Sequence, residues 1–129
     1  MSKRQEILDE IASAILELGR FDKVTSWQDT DTGYGISHLD YRDTTEEYTK
    51  KNTVYDAALS IEIAAIVYGD ETKTAQEMGT IVLTDLINTV RTLALPKCLF
   101  DLARSHKWVE TKGKTACCVE LELIIHYKF

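Results

Sequence analysis

Three histidines and three cysteines are the side chains in this sequence best suited to metal binding or nucleophilic catalysis. His38, His106 and His126 fall in different predicted segments, and neither a C-x-x-C nor an H-x-x-x-H spacing occurs. Cys98 would need a neighbouring base and a positive, partly exposed setting to act as a nucleophile. Structural or surface roles fit these residues better, so we predict no metal ligands and no catalytic residue.

Carboxylates and glycines offer two further kinds of chemistry. Glu62, Glu120 and Glu122 lie on the polar sides of predicted strands, where paired carboxylates could act as general acid and base. A solvated sheet face is the simpler interpretation. Gly33 and Gly35 form a G-x-G, but neither a third glycine nor a helix start follows, which argues against a dinucleotide-binding loop. We therefore expect no enzyme and no cofactor.

Length and charge narrow the class of protein. A chain of 129 residues suits one domain, and no proline-rich or glycine-rich linker divides it. Its formal net charge of −6 argues against nucleic acid as the main partner, because such binding depends on Lys and Arg neutralising phosphates. The N-terminal stretch alternates charged and apolar residues, so we expect neither a signal peptide nor a membrane span. Its odd number of cysteines predicts reduced thiols.

The clearest element is a predicted central strand at residues 53–68, with the sequence TVYDAALSIEIAAIVY. Apolar residues alternate along it with small or polar ones, the pattern of a strand with one buried face. The apolar set is Ala57, Leu59, Ile61, Ile63, Ala65 and Val67. After Gly69-Asp70 the period becomes helical from Ala75 and stops by Pro96. The stripe of this helix is Met78, Gly79, Val82, Leu86, Val90 and Leu93.

The N-terminal part predicts one helix and weaker strands. A capping pattern at Ser2 and a glycine at position 19 bound a helix over residues 3–18. Residues 21–27 predict a short strand, residues 28–35 a polar turn region, and residues 34–41 a second strand.

Two further segments are polar or ambiguous. Residues 42–52, RDTTEEYTKKN, read as a solvated loop or hairpin tip, and residues 97–105 as a short helix. Residues 108–110 and 115–127 then form a hairpin with Gly113 in its turn. The order of elements predicts an α+β fold: a mainly antiparallel β-sheet with two main helices packed on one face, in a single two-layer domain over residues 1–129.

This order resembles the tail terminator proteins of long-tailed bacteriophages. The resemblance rests on an opening helix (QEILDEIASAILEL), a polar hairpin region, the strand LSIEIAAIVYG, a long helix (AQEMGTIVLTDLINTV) and a closing hairpin ending VELELIIHY. It implies a structural virion protein, assembled in the host cytoplasm, that caps the head-proximal end of the tail tube as a hexameric ring. Its implied partners are itself, the tail tube protein and head-completion proteins, with no cofactor and no membrane.

The resemblance also implies that DNA passes through the ring without specific binding, which the acidic chain suits because six copies would multiply its net charge of −6. Two alternatives remain open. One is a head-closure or neck adaptor of the same assembly. The other is an unrelated small ligand-binding α+β domain, which would gather His38, Cys98 or Glu62 around a deep pocket.

The hypothetical assembly interface has two parts. The first is the polar segment, in which acids precede bases and an aromatic residue lies between them; Tyr48 would be its anchor. The second is the outer face of two strands, where apolar residues exceed what a solvated face requires. The predicted interface residues are Asp43, Glu46, Glu47, Tyr48, Lys50, Lys51, Ile66, Tyr68 and Ile124.

Overall fold

A computed structural model describes residues 2–26 and 37–128. The elements are α1 (Lys3–Leu18), β1 (Lys23–Ser26), β2 (His38–Lys51), β3 (Val54–Tyr68), α2 (Ala75–Arg91), β4 (Cys98–Lys112) and β5 (Lys114–Lys128). The strands form one five-stranded sheet in the order β1-β2-β3-β5-β4. β1 runs parallel to β2, whereas the other three ladders are antiparallel. The predicted α+β fold class, with its mainly antiparallel sheet, is therefore confirmed.

β3 is the middle strand of the sheet, paired with β2 on one side and β5 on the other. Every second residue of β3 from Ala57 to Val67 is buried, as the alternation predicts. β5 repeats this arrangement beside it, so that Ile61 pairs with Leu123 and Ile63 with Leu121. These two strands supply most of the sheet's share of the hydrophobic core, and β2 adds the fully buried Leu39.

Both helices cover this buried face. α1 packs on β2 and on α2, while α2 packs on β3, β4 and β5. Each helix begins at its predicted cap: the Ser2 hydroxyl accepts a hydrogen bond from the Gln5 amide, and Thr74 forms a capping box with Glu77. α1 ends at Leu18 and is followed by Gly19, whose backbone is left-handed with φ of 65°. α2 ends at Arg91, before Pro96. The predicted starts of both helices and the end of the first are confirmed, whereas Leu93, predicted on the stripe of the second helix, lies beyond its end at Arg91.

α2 lies unusually close to β5 at Gly79. A Cβ atom built there would come within 2.9 Å of the Cys117 Cβ and closer still to its sulfur. Protein interiors are packed too tightly to absorb such an overlap without displacing the helix or the strand. The absence of a side chain at position 79 therefore sets the helix-to-sheet distance.

The predicted loop at residues 42–52 is wrong. β2 continues to Lys51, and Arg42 to Lys51 pair with Glu62 to Val54 of β3, interrupted only by a β-bulge between Asp43 and Glu46. Only residues 52 and 53 form the turn, in which Asn52 adopts φ of 60°. The polarity of the segment was misleading, because an end of a sheet that no helix covers can be stabilised by ladder hydrogen bonds without apolar side chains.

The predicted short helix at residues 97–105 is also wrong, since this segment opens β4. The ladder to β5 runs from Cys98 with Tyr127 to Lys112 with Lys114, and it shifts register between Leu102 and Arg104. This bulge inserts one residue into β4 and so interrupts the alternation of side chains. The alternation on either side of the bulge is too short to predict a strand from the sequence. Lys97, immediately before the strand, has φ of 63°.

The closing hairpin is confirmed, with Gly113 at φ of 75° in its turn and with a first arm longer than predicted. The short first strand is confirmed over Lys23–Ser26. The predictions for Trp27, for the turn region at 28–35 with Gly33 and Gly35, and for the start of the second strand at Tyr34 and Ile36 lie outside the described residues.

Candidate assembly surfaces

The sheet face opposite the helices is the first candidate surface. We call it the open face, because both described helices are accounted for on the other side. Its rows follow from the ladder registers and run across all four long strands. Its central members are Asp40 and Arg42 of β2, Glu62 and Ala64 of β3, Glu120 and Glu122 of β5, and Arg104 and His106 of β4.

One row of the open face consists entirely of charges. Glu62 and Glu122 lie directly opposite each other, an arrangement of like charges that destabilises a sheet by itself. Arg42 binds the Glu62 carboxylate at 2.8 Å, and Arg104 binds that of Glu122 at 3.2 Å. The order Arg-Glu-Glu-Arg across four strands thus compensates the central repulsion from both sides. A cavity of about 210 Å³ lies over this row.

These contacts bear on the paired-carboxylate alternative. Glu62 and Glu122 are brought together, as that alternative requires, but an arginine occupies each of them. The arrangement is suited to holding charges in register across the sheet, and to contacts with another charged surface.

The histidines do not converge. They lie on β2, β4 and β5, where His38 contacts an Asp40 carboxylate oxygen at 2.9 Å and His126 contacts that of Asp101 at 3.2 Å. The Thr25 hydroxyl donates to the other Asp40 oxygen, which links β1 to this pair. Within residues 2–26 and 37–128, no cluster of three His, Cys, Asp or Glu side chains is placed to hold a metal ion.

The cysteines are free thiols rather than disulfides. Cys117 and Cys118 are buried and Cys98 is half-buried, and burial raises the pKa of each thiol. For Cys118 the pKa rises to about 11, chiefly through burial and then through the negative charge of Glu110. Because the thiolate is the reactive form, these raised pKa values disfavour nucleophilic chemistry at any of the three.

A second candidate surface is the hairpin tip, which we define as Tyr48, Lys50 and Lys51 of β2 with Val54 and Tyr55 of β3. All five side chains are exposed. The rings of Tyr48 and Tyr55 meet edge to face with centroids 6.4 Å apart, and the Lys50 ammonium lies 6.0 Å from the Tyr55 ring. Half of the Tyr48 surface is accessible, so an aromatic cluster projects beyond the end of the core.

The acids predicted to join this tip are divided between the two faces. Asp43 and Glu46 turn toward the helix side, where Arg4 of α1 binds both carboxylates. Glu46 also accepts a hydrogen bond from the Tyr48 hydroxyl at 2.8 Å, and only 8% of its side chain is exposed. Glu47, paired with Ala58, lies exposed on the open face. Of the three acids, it is the most available to a partner.

The apolar residues predicted for the interface lie elsewhere on the open face. Ile66 pairs with Cys118, Tyr68 with Ala116, and Ile124 with Ser60. Each is half-buried, and the Lys114 ammonium lies 5.3 Å from the Tyr68 ring. Ile66 and Tyr68 therefore lie at the end of the sheet farthest from the hairpin tip, so the nine predicted residues form separate groups rather than one patch.

The outer side of β4 is a third candidate surface, which sequence reasoning missed. β4 pairs with β5 on one side, and no strand within residues 2–26 and 37–128 pairs with its other side. Leu99, Leu102 and Val109 of β4 are 60%, 42% and 48% exposed. The alternation around Trp108 and Glu110 indicated a strand. The bulge after Leu102 interrupts that alternation, so the sequence did not indicate that the strand begins at Cys98.

Neither a protein-family model nor a curated protein matches the chain. None of the helices in the described part of the chain is both long and apolar enough to span a membrane. The function of the chain is therefore inferred from these candidate surfaces and from the resemblance in the order of elements.

Proposed function

We propose that this chain is a structural virion protein that caps the head-proximal end of the tail tube of a long-tailed bacteriophage as a ring, and so stops tube growth and forms the surface that joins the head. The observation that carries this proposal is a pair of different exposed surfaces on the described part of the chain: the outer side of β4, with Leu99, Leu102 and Val109, and the hairpin tip. A subunit with different contact surfaces on its two sides assembles head to tail, and such assemblies close into rings when the rotation permits.

Further support comes from chemistry that favours assembly over catalysis. The carboxylates are bound to arginines, the thiols have raised pKa values, and the open face carries a charged row. Self-association and contacts to the tail tube and head-completion proteins require such surfaces, and they require no cofactor. The acidic net charge of −6 suits a channel through which DNA passes without being held.

The hairpin tip is the proposed contact to an adjoining ring. It projects past the core with an exposed aromatic pair, and aromatic residues at the centre of an interface carry more binding energy than charges at its rim. Lys50 and Lys51 would chiefly set encounter rate and register. In this proposal Tyr48 and Tyr55 form the centre and the two lysines the rim.

A tube-capping assay tests the function. The tail tube protein of the same virus is allowed to polymerise with and without the chain, tube lengths are measured by electron microscopy, and ring size is measured by native mass spectrometry. We expect shorter tubes that end in a ring, most simply of six copies. Unchanged tube lengths together with a strict monomer, or binding to filled heads in place of tubes, would overturn the proposal, the second outcome in favour of a neck adaptor.

Two variants then test the tip. Tyr48→Ala should leave the free energy of unfolding within about 1 kcal/mol of wild type, because half of the side chain is already exposed, yet reduce capping. The double reversal Lys50→Glu with Lys51→Glu should also reduce capping, and its effect should shrink at high salt, since exposed charges are screened. Glu71→Lys, in the exposed loop after β3, is the control. Wild-type capping by both variants would show that the tip makes no contact that capping requires.

A further inference from the structure

A cavity of about 680 Å³ lies at the end of the open face nearest the hairpin tip, and we call it the tip cavity. Every residue that lines it belongs to the described part of the chain, on β2, β3, β4, β5 or directly before β4. Its volume falls within the range of about 300–1,000 Å³ that is typical of ligand pockets. The cavity over the charged row is smaller, at about 210 Å³.

The tip cavity exists because one row of the open face has a short side chain in its middle. Across β2, β3, β5 and β4 this row consists of Glu47, Ala58, His126 and Leu99. The Ala58 methyl group is shorter than the side chains of Glu47 and His126 on either side of it, which leaves a depression. Leu99 is 60% exposed at the far wall. The cavity therefore offers apolar surface at its floor and at one wall.

The charges that line the tip cavity are only partly paired within the chain. Asp56 is bound by Lys51 at 3.2 Å, and His126 contacts Asp101 at 3.2 Å. The lining charges that form no ion pair within residues 2–26 and 37–128 are Glu47, Lys97 and Lys128. One acid and two bases are thus available to a ligand.

These three charges lie on opposite sides of the cavity. Glu47 is on β2, whereas Lys128 is on β5 and Lys97 directly precedes β4. Two strand spacings separate β2 from β5, a distance of roughly 10 Å. A fully extended tripeptide spans about 10 Å and carries an ammonium group at one end and a carboxylate at the other. Its charges complement those of the cavity in sign and in separation.

Lys97 is placed at the cavity by an uncommon backbone conformation. The Cys98 amide donates a hydrogen bond to the Leu95 carbonyl at 3.1 Å, which closes a turn with Pro96 and Lys97 at its centre. Lys97 has φ of 63° in this turn, a left-handed conformation that glycine adopts most easily. Residues with side chains in such conformations cluster at binding sites. This backbone feature points to the same cavity independently of its charges.

We propose that the tip cavity binds a short peptide with two free ends. Lys97 and Lys128 hold the peptide carboxylate, and Glu47 holds its ammonium group, through hydrogen bonds strengthened by charge. Ala58 and Leu99 contact an apolar side chain between the two ends, and removal of this apolar surface from water adds to the affinity. The inference goes beyond the proposed function and does not rest on it.

Three forms of one tripeptide test the proposal. Alanyl-leucyl-alanine is titrated into the full chain with free ends, with an acetylated amine and with an amidated carboxylate, and binding is followed by calorimetry and by amide chemical shifts. We expect each blocked end to weaken binding roughly two- to five-fold, the size typical of an exposed ion pair. No binding of the free peptide, or equal binding of all three forms, would overturn the proposal. So would equal binding of the free and acetylated forms with weaker binding of the amide, because the site would then take the end of a longer chain.

Three variants assign the charges. Glu47→Gln should remove the preference for the free over the acetylated peptide, and Lys128→Gln should reduce the preference for the carboxylate over the amide. Lys97→Gly should also reduce the second preference, with an unfolding free energy at or above that of wild type, because glycine suits the φ of 63°. Lys73→Gln, exposed in the loop before α2, is the matched control and should change neither. An unchanged preference in Glu47→Gln, or in both lysine variants, would contradict the arrangement.

A further variant fills the cavity without changing a charge. Isoleucine suits a strand, and position 58 is half-buried on the face that neither described helix covers, so Ala58→Ile should keep an unfolding free energy close to wild type. It should lose binding of all three peptides. Wild-type binding by Ala58→Ile would place the peptide elsewhere and overturn the proposal.

Phe129 follows Lys128 in the chain and lies outside the described residues, so Phe129→Ala is titrated beside the wild-type chain. We expect equal binding by the two. Binding by Phe129→Ala alone would overturn the proposal, because the full chain would then not bind the peptide.

The outcomes are separable from those of the capping assay. Peptide binding by a chain that never shortens tubes would establish the tip cavity as a binding site and remove the proposed function. Normal capping by a chain that binds none of the three peptides would remove the site and leave the function standing.

Discussion

At the centre of the sheet the two faces differ sharply in chemistry, although only one residue separates them along the strand. On the helix side, Ile61 pairs with Leu123 and both are fully buried; on the open face, Glu62 pairs with Glu122 between two arginines. Both faces have the same backbone, ladders and strand length. The alternation of side chains along a strand determines only that the sheet has two distinct faces. The stability that each face contributes to the fold depends on what covers it.

On the open face the charges are paired laterally, and neither described helix packs on them. Ion pairs at a half-exposed site contribute little to folding, since water screens them and the side chains lose freedom. Burial of an aliphatic side chain against the helices contributes far more per residue. The helix side therefore holds the fold together, and the open face is free to serve contacts with other molecules.

The largest expected difference between the faces is at two consecutive positions. Ile61→Ala should lower the free energy of unfolding by about 2–5 kcal/mol, because it removes buried methyl groups and leaves a cavity between β3 and the helices. Glu62→Ala should lower it by less than about 1 kcal/mol, because that side chain is half-exposed. Chemical denaturation of both variants measures the ratio. Equal losses would show that the assignment of faces is wrong.

A smaller effect is expected where the helix side is packed most tightly. Gly79→Ala should cost about 1–3 kcal/mol, since the added methyl group overlaps the Cys117 side chain. In a helix without this overlap, replacing glycine by alanine would raise the free energy of unfolding. A decrease would therefore indicate that the overlap with Cys117 outweighs the helix preference of alanine. The double variant Gly79→Ala with Cys117→Ala provides the control, and it should recover part of the loss. A stabilised single variant would show that α2 lies farther from β5.

The smallest expected effect concerns Cys118, a buried thiol on the otherwise open face. Its folded pKa of about 11 exceeds the ordinary value of 9.0, so the unfolded chain loses this proton first as the pH rises. The stability that the neutral thiol contributes is complete below pH 9 and disappears as pH rises toward 11. Between pH 8 and pH 10 we expect a loss of roughly 1 kcal/mol from this group.

Cys118→Ala should flatten that dependence, and comparison of the two pH profiles by chemical denaturation isolates the thiol. The remaining slope is expected to include Tyr41, because burial and the negative charge of Asp9 raise the pKa of its hydroxyl. Parallel profiles for the two proteins would show that the Cys118 thiol is no more buried in the folded chain than in the unfolded one.

Much of the fold could be predicted because its signals are local. The alternation in β3 and β5, the capping box at Thr74 and the glycine turn at Gly113 each lie within a few residues of sequence. Such patterns reflect side-chain direction, which backbone geometry fixes for each element. The central strand, both helices and the closing hairpin were therefore predictable.

The candidate site was less predictable because its signals are not local. Asp43 and Glu46 looked like free surface charges until the fold brought Arg4 beside them. The segment at residues 42–52 looked like a loop, and its strand character depends on β3, which follows it in the chain. Sequence composition records the charge of a residue, but not which distant residue will neutralise it.

The sequence by itself determined the two periodicities, and with them the strands and helices whose apolar residues must be buried together. Only the tertiary structure decided that β5 lies between β3 and β4, and that the outer side of β4 has no neighbouring strand among the described residues. The physical reason is that an apolar pattern specifies a buried face, whereas the position of a strand in a sheet depends on the pairing of whole strands. Hydrogen bonds of the same backbone groups can be made with either neighbour, so side-chain packing across the completed sheet makes that choice.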